Sequence, residues 1–161
     1  RAVGNGLPKF TISVTHTFRY NTLDLDSYFR GNLGYRIYDV HDLYYGLQDA
    51  APNTNVLESA YKENRKITTG KNVHSSYFVH NGDFMKLDVA TLGYTWNINN
   101  KWVEKARFYI TGRNLFTISG YHRGLDKDAY CVNGMEPGLP YSKNGYYPSS
   151  RQFLFGIQLN F

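Results

Sequence analysis

The last ten residues of the chain, 152–161, alternate between apolar and mostly polar or small side chains. Because successive side chains of a strand point to opposite faces, the segment places five apolar groups on one face. About ten residues at roughly 3.3 Å each, tilted by about 45°, match the apolar band of about 25 Å on an outer-membrane β-barrel. The pattern predicts a strand of such a barrel or an edge strand of a soluble sheet. The apolar set is Phe153, Phe155, Ile157, Leu159 and Phe161.

A pair of alternating stretches near the start of the chain predicts a long hairpin. Residues 9–20 and 23–38 both alternate, and Asn21 and Thr22 form a tight link between them. The second arm, of about sixteen residues, is roughly three times the usual length of a strand in a globular domain. Arms of this length favour a barrel that projects beyond a membrane.

A third strand is predicted at 83–97, with a change of parity inside it. Its apolar side chains occupy one parity up to Val89 and the other parity from Leu92 onward. A β-bulge near Ala90 or Thr91 would reconcile the two halves, since one extra residue restores the facing of the side chains beyond it.

Two more strands are predicted at 105–117 and 150–161, with long loops at 39–81 and 118–149. The connections therefore alternate between short and long. Outer-membrane barrels have short periplasmic turns and long extracellular loops, so we expect the C-terminus at the periplasmic rim. Five strands do not close a membrane barrel, for which about eight is the minimum. The whole chain, 1–161, is therefore interpreted as an all-β, antiparallel transmembrane barrel fragment, with the other strands supplied by sequence outside it.

Composition excludes several other classes of protein. No apolar run approaches the roughly 18 residues that a membrane helix needs. The net charge of +5 comes from basic residues scattered among carboxylates, so no nucleic-acid-binding stripe is predicted. A single cysteine, Cys131, excludes an internal disulfide framework. The start on Arg1, without a signal-peptide pattern, indicates a fragment or a processed piece.

The sequence contains no pattern that indicates catalysis or a bound cofactor. The five histidines show no metal-binding spacing, and no phosphate-binding glycine loop or nucleophile elbow is present. Asp24 and Asp26 share a strand face, as the paired acids of a glycosidase would, but nothing places them across a sugar from each other. We interpret both as lumen-facing carboxylates near Arg30 and Arg36. We therefore predict no enzyme, no metal and no cofactor.

Several motifs in the second half of the chain carry a family resemblance. Residues 81–87 (NGDFMKL), followed by 91–94 (TLGY), are similar to a DGSFLRLKNLTLGY stretch, and 107–116 (RFYITGRNLF) to an RVYVSGQNLF strand. Tyr121 with residues 124–126 (GLD) is similar to a YKGLDPE loop. These stretches occur in the same order near the C-terminus of SusC/RagA-like TonB-dependent outer-membrane transporters, which the chain therefore resembles.

Residues 146–148 (YYP) and the final strand, 153–161, extend this resemblance, which is clear over roughly 78–161. It implies the last five strands of a barrel of about 22 strands, whose plug, TonB-contacting segment and earlier strands lie outside this chain. It further implies import of oligosaccharides or peptides across the Gram-negative outer membrane. The implied partners are outer-membrane lipid, the TonB complex as energy source, and a SusD-like surface lipoprotein as lid.

Tyrosines are the candidate binding residues of the two long loops. A tyrosine joins a large apolar face to a hydroxyl, which suits stacking on sugars or contact with a lid. Each of them could equally pack a loop on itself. The alternative for the whole chain is a soluble carbohydrate-binding β-sandwich or barrel module. The loop tyrosines are Tyr44, Tyr45, Tyr121, Tyr130, Tyr141, Tyr146 and Tyr147.

Overall fold

Most regular structure in the chain is β-strand. A computed structural model describes residues 3–51, 54–67, 73–98, 102–121 and 149–161. Short 3-10 turns occupy Gln48–Ala50, Glu58–Ala60 and Ser76–Phe78. No helix among these residues has both the length and the apolar character to cross a membrane. The strands and the α-helix of the described residues are β1 (Phe10–Tyr20), β2 (Leu23–Leu33), β3 (Arg36–Tyr38), α1 (Val40–Tyr45), β4 (Val79–Asn81), β5 (Phe84–Asn97), β6 (Lys105–Ser119) and β7 (Gln152–Asn160).

The chain divides into two compact units. The sheet unit comprises Thr11–Gly31, Met85–Ile118 and Ser149–Phe161, and the loop unit comprises the described parts of Arg1–Phe10, Asn32–Phe84 and Ser119–Pro148. Five long strands form one sheet in the order β1-β2-β5-β6-β7, and β3 pairs with β4 in a separate two-stranded ribbon. This open antiparallel sheet confirms the predicted fold class of a partial barrel.

The β1–β2 hairpin turns at the predicted position. Asn21 adopts a positive φ of 51°, which asparagine tolerates better than most residues because its short polar side chain can bond locally. The predicted second arm, 23–38, is wrong in one respect, because β2 ends at Leu33 rather than continuing to residue 38. Gly34 takes a φ of 77°, which breaks the strand, and the chain then enters β3.

The predicted change of parity in β5 is visible in the contacts of two of its residues. Asp88 pairs with Arg30 of β2, and a side chain at Gly93 would meet Asp24 of the same strand. Asp24 and Arg30 are six residues apart and share a face, so Asp88 and Gly93 also share a face although they are five apart. Five residues of regular strand would face opposite ways. The one-residue offset therefore lies between positions 88 and 93, where the bulge is predicted.

The loop unit has its own small cores. Leu43 and Leu47 pack with Phe78, against which Tyr38 and Ile67 are partly buried. A second cluster joins Tyr35, Ile37 and Phe84. The range 39–81, predicted as a loop, thus contains α1, β4 and the three 3-10 turns, and Asp39 caps α1 by accepting a hydrogen bond from the Asp42 amide at 2.8 Å.

Candidate functional site

One face of the five-stranded sheet is polar and is crossed by side-chain contacts between strands. The Thr91 and Thr111 hydroxyls lie 2.9 Å apart between β5 and β6, and the Tyr28 hydroxyl donates to Ser13 of β1 at 3.4 Å. The Arg107 guanidinium lies 5.4 Å from the ring centroid of Tyr109. We call this surface the polar face. The alternate residues of the same strands form the apolar face.

Asp24 and Arg107 form an ion pair on the polar face across an intervening strand. Arg107 Nε donates to Asp24 Oδ1 at 3.1 Å, and Nη2 donates to Asp24 Oδ2. β5 lies between their strands in the sheet. The pair passes over Gly93, where an added Cβ would lie 2.5 Å from both Asp24 carboxylate oxygens. Glycine at 93 is therefore what lets the two charges meet.

A second ion pair links β2 directly to β5. Arg30 Nε lies 2.7 Å from Asp88 Oδ2, and Lys86 Nζ lies 3.7 Å from the other carboxylate oxygen. The prediction that Asp24 and Asp26 lie near Arg30 and Arg36 is corrected for Asp24 by these contacts. Asp24 pairs with Arg107 and Arg30 with Asp88, because partners on a sheet face follow strand order and register rather than distance along the chain.

A polar cleft of about 450 Å³ opens beside the first of these pairs, at the end of the sheet that carries the β1–β2 turn. It contains both carboxylates of the predicted Asp24 and Asp26 pair, together with two arginines. Mixed charge of this kind suits polar groups rather than an apolar ligand. The lining residues are Arg19, Asn21, Thr22, Leu23, Asp24, Asp26, Thr95 and Arg107.

On the apolar face, the side chains of the terminal strand are exposed. The five apolar residues predicted there are between 48% and 85% exposed. In the β6–β7 pair, Phe108 lies opposite Ile157, Ile110 opposite Phe155 and Ala106 opposite Leu159. Apolar residues thus continue across neighbouring strands and are not confined to one edge. An exposed apolar patch of this kind marks a surface for contact with a protein, a ligand or a membrane.

Aromatic residues gather where the short turns lie. Hydrogen bonds run from Thr95 N to Thr22 O and from Glu104 N to Asn160 O. They place the corresponding strand ends together at one end of the sheet. Exposed aromatic residues lie close to these ends in the chain. Amphipathic aromatic rings of this kind are enriched at membrane interfaces. They are Tyr20, Tyr94, Trp96, Trp102 and Phe161.

Three of the seven candidate loop tyrosines lie in the described residues. Tyr44, on α1, is 38% exposed. Tyr45 is partly buried, with its ring 5.0 Å from that of His41. Tyr121 is buried, and its hydroxyl donates to Asp39 Oδ2, so it packs the loop unit, the second of the two roles considered for these residues. The remaining four, Tyr130, Tyr141, Tyr146 and Tyr147, lie outside the described residues.

A buried polar network holds the loop unit together around Asp42. Its carboxylate accepts hydrogen bonds from Ser59 Oγ at 2.6 Å and from Asn64 Nδ2 at 3.0 Å. Asn64 also donates to the carbonyl of Gly46 and accepts from the Tyr77 hydroxyl at 2.7 Å. Asp42 and Asn64 are almost fully buried. Because every one of these side chains has partners, the network acts as a rigid base for the loop surface.

The described residues contain no candidate metal site. No group of three or more histidine, cysteine, aspartate or glutamate side chains there is placed to hold a metal ion. His74 accepts or donates through Nδ1 at 2.8 Å from the Tyr38 hydroxyl and stacks on that ring. Burial raises the pKa of Tyr38, so this phenol stays neutral.

Sequence reasoning missed most of these pairings. The ion pair between Asp24 and Arg107 joins residues 83 positions apart, and the bond from Tyr121 to Asp39 spans 82. The usable signal was the shared parity of Asp24 and Arg30 on β2 and of Arg107 and Tyr109 on β6. The odd or even position of a residue in its strand predicts the sheet face on which its side chain lies. It does not predict the residue with which that side chain pairs, because this depends on the order of the strands.

Comparison with known proteins gives relatives along the whole chain. No protein-family profile matches it. It is 26% identical to TonB-dependent receptor P3 of Formosa agariphila over an alignment of 183 positions, covering 100% of this chain and 17% of the receptor. It is 34% identical to TonB-dependent receptor SusC of Bacteroides thetaiotaomicron over 93 positions, covering 54% of this chain and 8% of SusC.

Solved structures agree on the fold. The RagAB peptide importer in its closed-closed state matches with a TM-score of 0.64 at 22% identity, covering 96% of this chain and 17% of that chain. The open-open state matches with a TM-score of 0.61. The chain thus spans about one sixth of the length of the relatives that it matches throughout.

These relatives are receptors and transporters rather than enzymes, in agreement with the prediction. The motifs, the full-length sequence similarity and the open barrel-type sheet confirm the predicted resemblance: the chain is similar to the C-terminal β-barrel section of SusC/RagA-like TonB-dependent outer-membrane transporters.

Proposed function

We propose that this chain forms part of the wall and extracellular loops of an outer-membrane importer for oligosaccharides or peptides. The transporter is energised by TonB through parts outside this chain. One observation carries the proposal: a sheet similar to a transporter barrel along its length has one face lined by ion pairs and the other by exposed apolar residues. A barrel wall between a polar lumen and lipid requires this division.

The apolar face is proposed to contact lipid. Phe153, Phe155, Ile157, Leu159 and Phe161 then form the outward side of the terminal strand, with Phe161 at the periplasmic rim. The direction rests on the short turns, which face the periplasm in outer-membrane barrels, and the exposed rings near those turns fit a membrane interface at that end. The two long connections, 39–81 and 118–149, are then proposed to face the extracellular side, because outer-membrane barrels have their long loops outside.

The loop surface is proposed to contact the substrate and a SusD-like lipoprotein lid. Of the three candidate tyrosines that the structure describes, Tyr44 is the best placed, because it is exposed on a helix anchored by the buried Asp42 network. Tyr45 contributes less surface. Tyr130, Tyr141, Tyr146 and Tyr147 remain candidates for the same role. The name of the RagAB importer supports peptides, and the tyrosine-rich composition suits sugars equally.

A transport experiment tests the proposal on the intact protein that carries this chain. Its gene is deleted in the native organism, and growth is measured with oligosaccharides or oligopeptides as the only carbon source. Growth on one class of oligomer is expected to fail, whereas growth on the corresponding monomers, used as the control, is unchanged. Unchanged growth on every oligomer tried would reject the transport role. Affinity purification from detergent-solubilised outer membrane is expected to recover a surface lipoprotein.

Solubility separates this proposal from a soluble carbohydrate-binding module. The sheet unit covers its apolar face with no second layer of its own described residues, so folding is expected to require detergent or lipid. A soluble module would bury that face and remain monodisperse in plain buffer. Recovery of the folded protein from the aqueous fraction, with no detergent present, would favour the module.

A further inference from the structure

The five-stranded sheet has four seams, by which we mean the boundaries between neighbouring, hydrogen-bonded strands. At two of them no short turn connects the paired strands. β1 and β2 are linked by Asn21 and Thr22, and β5 and β6 by residues 98–104, so these connections set the register of their pairs. The β2–β5 and β6–β7 seams are instead bridged by long stretches of chain. Their register has to be specified by side chains.

Alternation of apolar and polar residues does not specify that register completely. A slip by one residue turns every side chain to the wrong face and is therefore costly. A slip by two residues keeps each side chain on its proper face. The alternation of apolar and polar residues therefore does not distinguish the slipped register from the native one. Some feature that differs between positions two apart is needed at each long-range seam.

At the β2–β5 seam the distinguishing feature is Gly93. Strands lie about 4.8 Å apart, so a side-chain pair from β2 to β6 spans about 10 Å across β5. Asp24 and Arg107 cover this span over the Gly93 backbone, and an added Cβ would lie 2.5 Å from the carboxylate oxygens and 2.7 Å from Arg107 Nη2. A slip of β2 by two would place Asp24 beside Thr91 or Thr95, whereas Arg107, on the other side of β5, would stay beside Gly93. The two charges would then be about 7 Å out of step along the strands, and the pair over Gly93 would be lost.

At the β6–β7 seam the same arrangement occurs with a different side chain. Gly156 lies directly opposite Tyr109, and the Tyr109 ring occupies the space that a Cβ at 156 would take, with Cε1 2.6 Å from that position. A slip by two would place Leu154 or Gln158 opposite the ring. Both carry side chains on this face, so the ring would lose its position over the backbone.

We propose that Gly93 and Gly156 are register keys: glycines that admit a side chain from another strand and so select one register at the two seams that no short turn sets. Each key consists of a glycine and the side chains lying over it, Asp24 with Arg107 and Tyr109 respectively. The keys concern assembly of the sheet and do not depend on what the protein transports.

The first test is a double-mutant comparison on the whole protein that carries this chain. The protein is studied in buffer or in detergent, according to which of the two keeps it folded. Overpacking by one methyl group is expected to lower the folding equilibrium constant about 5- to 100-fold in Gly156→Ala and in Gly93→Ala. The matched control is Gly120→Ala, since a Cβ at Gly120 meets no atom of the described residues within 4 Å. Its change is expected to stay below about 2-fold.

Removing the overlying side chain should relieve each substitution. Gly156→Ala is expected to cost little in a Tyr109→Ala background, and Gly93→Ala little in an Asp24→Ala, Arg107→Ala background. Where Gly156→Ala or Gly93→Ala alone does not fold, recovery of folded protein in the double or triple variant supports the key. Equal losses in both backgrounds, or no recovery, overturn the proposal.

Disulfide trapping reads the register directly, with Cys131 replaced by serine. Cysteines at Ile110 and Phe155 report the native register, because these residues lie opposite each other, whereas cysteines at Ile110 and Ile157 report a slip by two. The first pair is expected to cross-link in the parent protein. In Gly156→Ala the native cross-link should fall and the slipped one should rise. An unchanged native yield in folded Gly156→Ala overturns the key at this seam.

Discussion

The sheet unit and the loop unit differ in where they place their apolar residues. The loop unit buries Leu43, Leu47 and Phe78 in a core of its own and surrounds Asp42 with hydrogen-bond partners. The sheet unit keeps its ion pairs on one face and leaves Phe155 and its apolar neighbours exposed on the other. The first arrangement is usual in water-soluble proteins, and the second is the one that the proposed contact with lipid requires.

This difference teaches that exposure has a different meaning in the two units. A large apolar residue left exposed on a soluble domain favours association or aggregation. On the sheet unit a continuous apolar face is the expected surface toward lipid, where burial within the protein is unnecessary. The same substitution should therefore have different consequences in the two units, and four substitutions test this contrast.

The largest effect is expected from Leu43→Ala in the loop unit. Leu43 is fully buried, so its truncation leaves a cavity and should lower the stability of the loop unit by about 2–5 kcal/mol. Hydrogen exchange of the Leu57 amide, which donates to Tyr45 O at 2.7 Å, measures the opening free energy. The exposed Val73 provides the control, since Val73→Ala should change stability by less than about 0.5 kcal/mol. Equal effects of the two substitutions would contradict the conclusion that the loop unit has a hydrophobic core of its own.

The next effect concerns the apolar face. Ile157 is central in the exposed set of β7, and Ile157→Arg should cost about 2–4 kcal/mol of barrel stability if that face meets the middle of the bilayer. Gln158 lies on the polar face opposite Arg107, so Gln158→Arg should cost much less. A folding titration in lipid bilayers compares the two variants. A larger loss in Gln158→Arg would mean that the faces are assigned in reverse, and equal losses would contradict a difference between them.

A smaller loss is expected from Tyr121→Phe. The change removes the hydrogen bond to the buried Asp39 carboxylate while keeping the ring, which should cost about 1.5–3 kcal/mol in the loop unit. Because Tyr121 follows β6 and Asp39 precedes α1, the bond ties together the starts of the two long loops. Faster hydrogen exchange of the Leu43 amide, which bonds to Asp39 O, is the expected readout. Unchanged protection would show that ring packing alone holds the two segments.

The smallest effect is expected from Tyr77→Phe. It removes a single hydrogen bond from the Tyr77 hydroxyl to Asn64 Oδ1, and Tyr77 itself is partly exposed to water. A loss of about 0.5–1.5 kcal/mol is expected. Thermal unfolding of the loop unit, followed by hydrogen exchange at several temperatures, measures it. A loss as large as that of Leu43→Ala would mean that the polar network, rather than the apolar core, dominates the unit.

The predictions from sequence succeeded where a local pattern was sufficient. Alternation predicted the long strands, the turn at Asn21 and Thr22, and the parity change in β5. They failed at Gly34, because a glycine within an alternating stretch does not reveal whether its φ is positive until the flanking pairing is known. The interpretation of Asp24 failed for a related reason: its partner, Arg107, lies two strands away in the sheet.

Sequence alone determined the strands, the two faces of each and the family resemblance, because parity, turn residues and motifs are properties of neighbouring positions. Only the tertiary structure decided that Asp24 reaches Arg107 over Gly93, that Tyr109 lies on Gly156 and that Tyr121 is buried against Asp39. These contacts join residues from about 50 to more than 80 positions apart. They depend on the order and register of strands, which long connections leave open and side-chain packing must settle.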